Sequence, residues 1–341
     1  MDAETRNPMW RGLRGGSMRF RVAMTLLLAA TFAGMGGVHA VAAESYPSRR
    51  INFVVPFPAG SATDAVTRRL AEGIRSETGA TVLVENKPGA DGNLAALSVL
   101  KSDPDGYTVF VTTNSTQAAN ISLFNAMPYD PAADFMPVAG IMTIPMLLSV
   151  RPDFPAKNIA EFIAVAKSRP KPLSFGSGNT SSRGAAELFR HRAGIDMQHV
   201  PYRGMPQALT DVLAGEIDCV FADPASAQGL IQDGRLHVLA VTSAERLASM
   251  PDVPTLAQAG LSGAELTAWV GVFVRRGTPS DVVAKLSQVV LSFVRNKDTE
   301  AYLQSVGAKP FPAGPDELKA FEEADTRRWA EIVEIAKIEK K

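Results

Sequence analysis

The chain has 341 residues, with 35 basic and 35 acidic side chains, so its formal net charge is zero. Nucleic-acid-binding proteins usually carry a basic excess, and this balance argues against such a partner. The only cysteine, Cys219, can form neither an intrachain disulfide nor a cysteine metal cluster. Its strand-like surroundings predict a buried structural thiol.

The first 43 residues are predicted to be a secretory signal peptide. Arg19 and Arg21 stand before an apolar stretch at 22–33, and residues 41–43 read Val-Ala-Ala, a typical cleavage site. The apolar stretch is shorter than the roughly 20 residues that a membrane span needs. Cleavage would leave 298 residues with 30 basic and 33 acidic side chains, a net charge of −3. We therefore expect a periplasmic protein, long enough for two domains.

The most informative segment begins near residue 52. Residues 53–55 form an apolar run typical of a buried parallel strand, and a loop of small residues follows it. Apolar residues at 66, 70 and 74 then indicate a helix. A strand that leads through a bare loop into a helix N-terminus predicts an anion site held mainly by backbone N–H groups. The candidate ligand-binding residues here are Phe57, Ala59, Gly60, Ser61, Thr63 and Asp64.

Strand and helix patterns alternate through the rest of the chain. The strands are predicted at 81–84, 108–112, 146–150, 173–175, 199–202, 220–221, 238–242 and 269–274. The helices are predicted at 94–100, 158–166, 183–193, 206–214, 279–294, 299–305 and 316–337. Such alternation predicts an α/β fold in which helices surround a parallel sheet.

Two of the strands, 146–150 and 269–274, are interpreted as hinge crossings between two lobes, each a sheet flanked by helices. The predicted organisation is a signal peptide at 1–43, a first lobe at 44–145 plus 269–341, and a second lobe at 146–268. Open α/β sheets bind ligands beyond the carboxyl ends of their strands, so a cleft between the lobes is the expected site.

Other bare loops follow the predicted strands and complete the candidate site. Residues 176–181 read Gly-Ser-Gly-Asn-Thr-Ser, and their hydroxyl and amide groups can donate to carboxylate oxygens. The further candidate ligand-binding residues are Asn114, Ser115, Gly176, Ser177, Asn179, Thr180, Tyr202, Arg203 and Asp223.

Several of these candidates have a structural alternative. Asp64 could cap its helix instead of binding a ligand, and the capping role is favoured. Arg203 could pair with a ligand carboxylate or form a salt bridge. Phe57 and Tyr202 could line the ligand or pack in the core.

Catalytic, metal and nucleotide signatures are missing from the sequence. The 176–181 segment lacks the third glycine of a dinucleotide fingerprint, and no Gly-x-Ser-x-Gly elbow occurs. The histidines at 191, 199 and 237 show no metal-ligand spacing. We expect no enzyme activity, no cofactor and no bound metal.

The ordered set of short motifs resembles the periplasmic solute receptors of tripartite tricarboxylate transporters, also called the Bug family. The matching segments are 55–60 (Val-Pro-Phe-Pro-Ala-Gly), 85–92 (Glu-Asn-Lys-Pro-Gly-Ala-Asp-Gly), 200–204 (Val-Pro-Tyr-Arg-Gly), 240–243, 251–255 and 277–279. The chain departs from the family pattern at Ser61, at Met205 and at residues 182–184.

The resemblance implies a two-lobed periplasmic binding protein of type II-like fold that closes on a small carboxylate. The expected ligands are a di- or tricarboxylate, an acidic amino acid or an aromatic acid, held by backbone amides and ordered water. The expected partners are membrane permease subunits, and the receptor itself is expected to be a monomer. Two alternatives stay open: a ligand-sensing partner of a membrane histidine kinase, and, less favoured, a secreted enzyme.

Overall fold

The computed structural model describes residues 46–340, so the predicted signal peptide lies outside the described residues. The strands are β1 (Ile51–Val55), β2 (Val82–Asn86), β3 (Thr108–Thr113), β4 (Phe135–Pro145), β5 (Leu147–Val150), β6 (Leu173–Ser177), β7 (Met197–Pro201), β8 (Cys219–Ala222), β9 (His237–Val241), β10 (Thr267–Arg275) and β11 (Lys309–Pro310).

The α-helices fill most of the intervals between these strands. They are α1 (Ala62–Thr78), α2 (Asn93–Leu100), α3 (Asn120–Leu123), α4 (Pro131–Asp134), α5 (Ile159–Ser168), α6 (Thr180–Ala193), α7 (Met205–Ala214), α8 (Pro224–Gln232), α9 (Ser280–Val294), α10 (Lys297–Ser305) and α11 (Pro315–Ile335). A π-helical turn, Ser115–Ala119, stands between β3 and α3.

Within residues 46–340, the first lobe is built around a six-stranded sheet of order β11-β4-β10-β3-β1-β2. Strands β1, β2 and β3 are parallel, whereas β10 runs antiparallel to β3 and β4. The stripe Val66, Leu70 and Ile74 of α1 is buried on one face of this sheet. The apolar periodicity in the sequence is therefore the direct cause of this packing.

The second lobe of the described chain is built around a five-stranded sheet of order β7-β6-β8-β5-β9. Strand β6 is parallel to β7 and β8, and β5 is antiparallel to β8 and β9. Apolar side chains on one face pack with α5 and α6, and those on the other face pack with α7 and α8. The two-lobed α/β fold predicted from the sequence is confirmed.

A single buried hydroxyl joins the two crossings between the sheets. The outward crossing is at Met146, between β4 and β5, and the return crossing ends at Leu266, just before β10. Thr242 Oγ1 accepts a hydrogen bond from the Met146 N–H (2.8 Å) and donates one to the Leu266 carbonyl (2.5 Å). The return crossing therefore lies before 269–274, and the whole of that predicted segment belongs to the first sheet.

The prediction of parallel sheets is wrong, because β5 and β10 enter as antiparallel strands where the chain passes from one lobe to the other. The sequence patterns also gave no indication of β4, the longest strand. Pro137, Gly140 and Pro145 fall within it, and proline and glycine normally argue against a strand interior. Glycine is required at 140 because an added Cβ there would stand 2.5 Å from the Phe311 ring.

The last helix, α11, packs on both lobes. Near its start, Leu318 is buried with Phe110 and Phe273 of the first lobe. Near its end, Trp329 is buried with Phe189 of the second lobe. The helix thus extends beyond the first lobe, to which the sequence patterns assigned it. Among the described residues, no helix combines the length and the apolar character that a membrane span requires.

Candidate functional site

Helix N-termini from both lobes converge where the strands of the two sheets end. In the first lobe β1 leads to α1, and in the second lobe β6, β7 and β8 lead to α6, α7 and α8. Backbone N–H groups of a first helical turn have no partner within the helix, and the helix dipole adds partial positive charge there. The arrangement therefore creates an environment that favours an anion.

A small cavity of about 30 Å³ lies between these helix ends. It is lined by Phe57, Ser61, Ala62, Thr63, Thr113, Ile144, Met146, Gly178, Asn179, Ser181, Gly204, Met205, Asp223 and Ala268. This volume is that of roughly one water molecule, so the lobes are closed upon each other. The loops also meet directly, because an added Cβ on Gly204 would stand 2.5 Å from Pro58 Cγ.

Five of the predicted site residues line this cavity: Phe57, Ser61, Thr63, Asn179 and Asp223. Ser61 is the N-cap of α1, and its hydroxyl accepts a hydrogen bond from the Asp64 N–H. Asn179 caps α6 in the same way through the Ser182 N–H. Both caps are short polar side chains of the kind that favours helix starts, which explains why the sequence signals for helix starts also mark the cavity.

The rest of the loop after β1 is held by Asp64 and does not line the cavity. Ala59 and Gly60 are exposed, and the Gly60 N–H donates to the Asp64 carboxylate (3.0 Å). Asn86 and Arg68 donate to the same carboxylate. Burial alone would raise the pKa of Asp64, but these hydrogen bonds outweigh burial and lower it. Ser61, and not Asp64, is thus the N-cap of α1, and Asp64 lies in the first turn, where its carboxylate holds the preceding loop.

Polar side chains that follow β3 hydrogen-bond to the start of α6 in the other lobe. Thr180 Oγ1 donates to Asn120 Oδ1 (3.0 Å), and Ser181 Oγ donates to Asn114 Oδ1 (2.9 Å). Of these residues Asn114 and Thr180 were predicted site residues, Ser181 belongs to the 176–181 segment predicted to donate to a carboxylate, and Asn120 was missed. Ser115, also predicted, is buried beside them, and its hydroxyl has no hydrogen-bond partner.

The remaining predicted residues lie in the second lobe away from the cavity lining. Gly176 packs under Ile217 and Ala208, and Ser177 Oγ is 2.6 Å from His199 Nε2. The Tyr202 hydroxyl donates to Asp211, and Arg203 is exposed. Burial, followed by the Asp211 carboxylate, raises the pKa of Tyr202 to about 12. The ligand contacts proposed for these residues stay predictions.

The sequence patterns indicated a bare loop at 176–181 but not which part of the chain approaches its backbone. An added Cβ on Gly178 would stand 2.1 Å from the Met205 backbone nitrogen, so only glycine fits there. The close approach was expected at Gly60, where the space around an added Cβ is open. The glycine pair of the 176–181 segment was a signal for Gly178, but its spatial neighbour at Met205 could not be inferred.

Asp223 is the only charged side chain among the described residues that line the cavity. It is 4% exposed, and burial raises the pKa of its carboxyl group. Its Oδ1 accepts a hydrogen bond from the Ser226 N–H at the start of α8. The cavity therefore combines helix N-termini with one buried carboxyl group that can meet a hydrogen-bond donor of a solute.

Residues 46–340 contain neither a group of side chains that could hold a metal ion nor an accessible thiol. No group of three or more His, Cys, Asp or Glu side chains there could hold a metal ion. Cys219 is buried in β8, as predicted, and burial raises the pKa of its thiol far above the usual range. A buried, protonated thiol is a poor nucleophile and a poor metal ligand.

Comparison with known proteins agrees with this geometry. The family described as the tripartite tricarboxylate transporter family receptor (TctC) matches residues 66–338. The R. palustris protein Rpa4515, solved with adipate, is 32% identical, with a TM-score of 0.85 over 87% of this chain and 100% of that chain.

Two further solved structures have the same fold. The periplasmic binding protein BugD is 31% identical, with a TM-score of 0.82 over 87% of this chain and 100% of that chain. MatC from Rhodopseudomonas palustris, solved with malate, is 32% identical, with a TM-score of 0.80 over 84% and 100% of the respective chains. These relatives are solute-binding receptors. The chain belongs to the tripartite tricarboxylate transporter receptor family and is a Bug-type solute-binding receptor, not an enzyme.

Proposed function

We propose that this receptor binds a small dicarboxylate between its lobes in the periplasm and delivers it to the permease of a tripartite tricarboxylate transporter. The convergence of the α1, α6, α7 and α8 N-termini on one cavity carries the proposal. No lysine or arginine of the described chain lines that cavity, so backbone donors and small polar side chains would hold the anion. The ligands of the relatives, adipate and malate, support a dicarboxylate.

Part of the predicted binding set takes part in this proposal directly. Ser61, Thr63 and Asn179 would donate to the carboxylates, and Phe57 would contact the carbon chain. The predicted lobes, 44–145 plus 269–341 and 146–268, would move about the Met146 and Leu266 crossings. Charge-assisted hydrogen bonds from two such groups of donors, less the ordering cost, give a dissociation constant of about a micromolar.

Isothermal titration calorimetry of the processed protein tests the ligand class. Adipate and malate are compared with adipamide, which keeps the carbon chain of adipate but has no charge. We expect at least one diacid to bind, and adipamide to bind at least about tenfold more weakly because helix N-termini favour negative charge. Equal affinity for adipate and adipamide would contradict the carboxylate assignment.

Two further measurements test location and delivery. N-terminal sequencing of protein from the periplasmic fraction should begin near Glu44, and an intact sequence from Met18 would contradict processing. Deletion of the receptor gene should abolish uptake of the labelled diacid, and re-expression should restore it. Normal uptake in the deletion strain would contradict delivery.

A further inference from the structure

A second cavity of about 480 Å³ lies outside the interlobe cleft. It opens between the π-helical turn, β4, α9 and α11 of the described chain. Much of its wall is apolar, formed by Ile121, Phe135, Met136, Pro137 and Val283. Its size suits a small organic molecule.

Two buried polar side chains line this cavity with hydrogen-bonding atoms that nothing satisfies. Gln117, in the π-helical turn, is 1% exposed, and both its Oε1 and its Nε2 lack a partner. Glu322, on α11, is 7% exposed, and its Oε1 lacks a partner. Buried polar groups are normally paired, so a pair without partners at one cavity points to a ligand that completes it.

The charged side chains around Glu322 form no ion pair with its carboxyl group among the described residues. The charged side chains that line the same cavity are Arg276, Asp316, Lys319, Glu323 and Arg327. Arg276 donates its guanidinium hydrogens to the carbonyls of Ala132, Ala133 and Phe135. Within residues 46–340 no basic side chain forms an ion pair with Glu322. Arg276 is therefore engaged with backbone carbonyls, so the buried carboxyl group of Glu322 can pair with the cationic group of a bound ligand.

We propose that this cavity binds a small organic ammonium compound, with its cationic group between Glu322 and Gln117 and its apolar body against the Phe135–Val283 wall. An ammonium group has three donors, which suit the two unpaired acceptors Glu322 Oε1 and Gln117 Oε1, whereas Gln117 Nε2 needs an acceptor that the ammonium group lacks. This second ligand differs in charge from the dicarboxylate of the interlobe cleft, and its site stands whether or not that function is correct.

The protonation of Glu322 makes the proposal pH-dependent. Burial, reinforced by Glu323 and opposed by Lys319, raises the pKa of Glu322 to about 8. The cation binds the ionised carboxylate, so binding below pH 8 must release a proton. The affinity should rise about tenfold from pH 6 to pH 7 and level off above pH 8.

Calorimetry with n-butylammonium, n-butanol and butyrate as probes tests the class of ligand. At pH 8, n-butylammonium should bind at least about tenfold more tightly than either other probe, because only it pairs with the carboxylate. At pH 7, titration in two buffers with different ionisation enthalpies should show proton release. Equal binding of n-butanol, tighter binding of butyrate, or a flat pH profile would overturn the proposal.

Matched variants locate the site. Glu322→Gln keeps the shape but removes the charge, and should weaken n-butylammonium binding at least about tenfold. Glu331→Gln, at an exposed position of α11 outside the cavity lining, is the control and should change binding less than about threefold. A larger loss in the control than in Glu322→Gln would overturn the assignment. Should Glu322→Gln fold poorly, the wild-type pH profile tests the same assignment without any variant.

Discussion

At the scale of single residues, two buried carboxyl groups of this receptor differ in whether hydrogen-bond donors surround them. Asp64 is buried with three hydrogen-bond donors, and its pKa is lowered. Glu322 is also buried, but its Oε1 has no hydrogen-bond donor, and its pKa is raised. The same side-chain chemistry therefore gives opposite pH dependences of stability, and each can be measured.

Replacement of Asp64 by alanine should lower the free energy of unfolding by about 2 kcal/mol at pH 7, since hydrogen bonds to a charged group are lost. A lowered folded-state pKa contributes stability above the unfolded value, near 4, and loses it as the pH falls. Urea unfolding at pH 7 and pH 3 should show the difference shrink. A difference that grows towards pH 3 would contradict the hydrogen-bond account.

Glu322→Gln should act in the opposite direction. The folded state holds a proton that the unfolded state releases between about pH 4.5 and pH 8, so the wild type loses stability as the pH rises through that range. Over this range, the free energy of unfolding of the variant should rise relative to that of the wild type by about 1.4 kcal/mol for each pH unit. Parallel stability curves for the two proteins between pH 5 and pH 8 would show that Glu322 is ionised in the fold.

At the scale of elements, the helix starts and the hinge crossings decide how the cleft closes. The start of α7 touches the loop after β1 through Gly204 and Pro58. Gly204 has an extended backbone (φ −176°), which any residue adopts. Only the contact with Pro58 therefore requires glycine, and this contact exists only when the lobes are together.

Gly204→Ala should hinder closure without weakening the fold. The added methyl group must displace Pro58, and an overpacking cost near 1.4 kcal/mol weakens diacid binding about tenfold. Calorimetry and small-angle scattering check affinity and contraction on binding. Gly229→Ala, also in the second lobe but with open space around its Cβ, is the matched control. Unchanged affinity in Gly204→Ala would mean that the loops separate in the bound form.

Thr242→Val tests the hydroxyl that joins the crossings. Backbone hydrogen bonds still hold Met146 to Thr242 and Leu266 to Thr242, so the fold should persist. The Met146 N–H loses its partner in a buried place, and we expect a loss of about 1–3 kcal/mol in unfolding free energy. Thr210→Val, at an exposed hydroxyl on α7, should change stability little. An equal loss in both variants would mean that the buried Thr242 hydroxyl stabilises the fold no more than an exposed threonine hydroxyl does.

The sequence could predict these elements because local signals agree with the fold. The Val66, Leu70 and Ile74 stripe and the helix start at Asn158 agree with the structure. The helix predicted from 183 begins earlier, at Thr180, because Asn179 caps it. The pairings between Asn120 and Thr180 could not be predicted, since sixty residues separate them and each is an ordinary polar residue. Strand β4 could not be predicted because it contains prolines, which lack the N–H group that a strand normally donates.

At the scale of the whole molecule, α11 connects the lobes besides the two crossings. Leu318 is buried in the first lobe, the Asp325 carboxylate accepts from Trp269 Nε1 (2.8 Å), and Trp329 lies over Gly184 of α6. One helix thus contributes to both cores. The two lobes should consequently lose their structure together rather than one after the other.

Trp329→Ala should lower the free energy of unfolding by about 3–5 kcal/mol because a large buried ring leaves a cavity. Urea unfolding followed by circular dichroism gives the value. Glu331→Ala, at an exposed position of the same helix, should stay within about 0.5 kcal/mol of the wild type. A loss below about 1 kcal/mol in Trp329→Ala would show that the end of α11 adds little to the second lobe.

The hydrogen bonds of Asn120 with Thr180 and of Asn114 with Ser181 join protein to protein and include no solute atom. Because these bonds are made between the lobes themselves, they stabilise one closed arrangement of the lobes. Under the proposed transport function, a permease would then recognise the closed lobes and not the solute. Ligand preference would change through substitutions in the cleft alone, and one permease surface would bind several receptors of different ligand specificity.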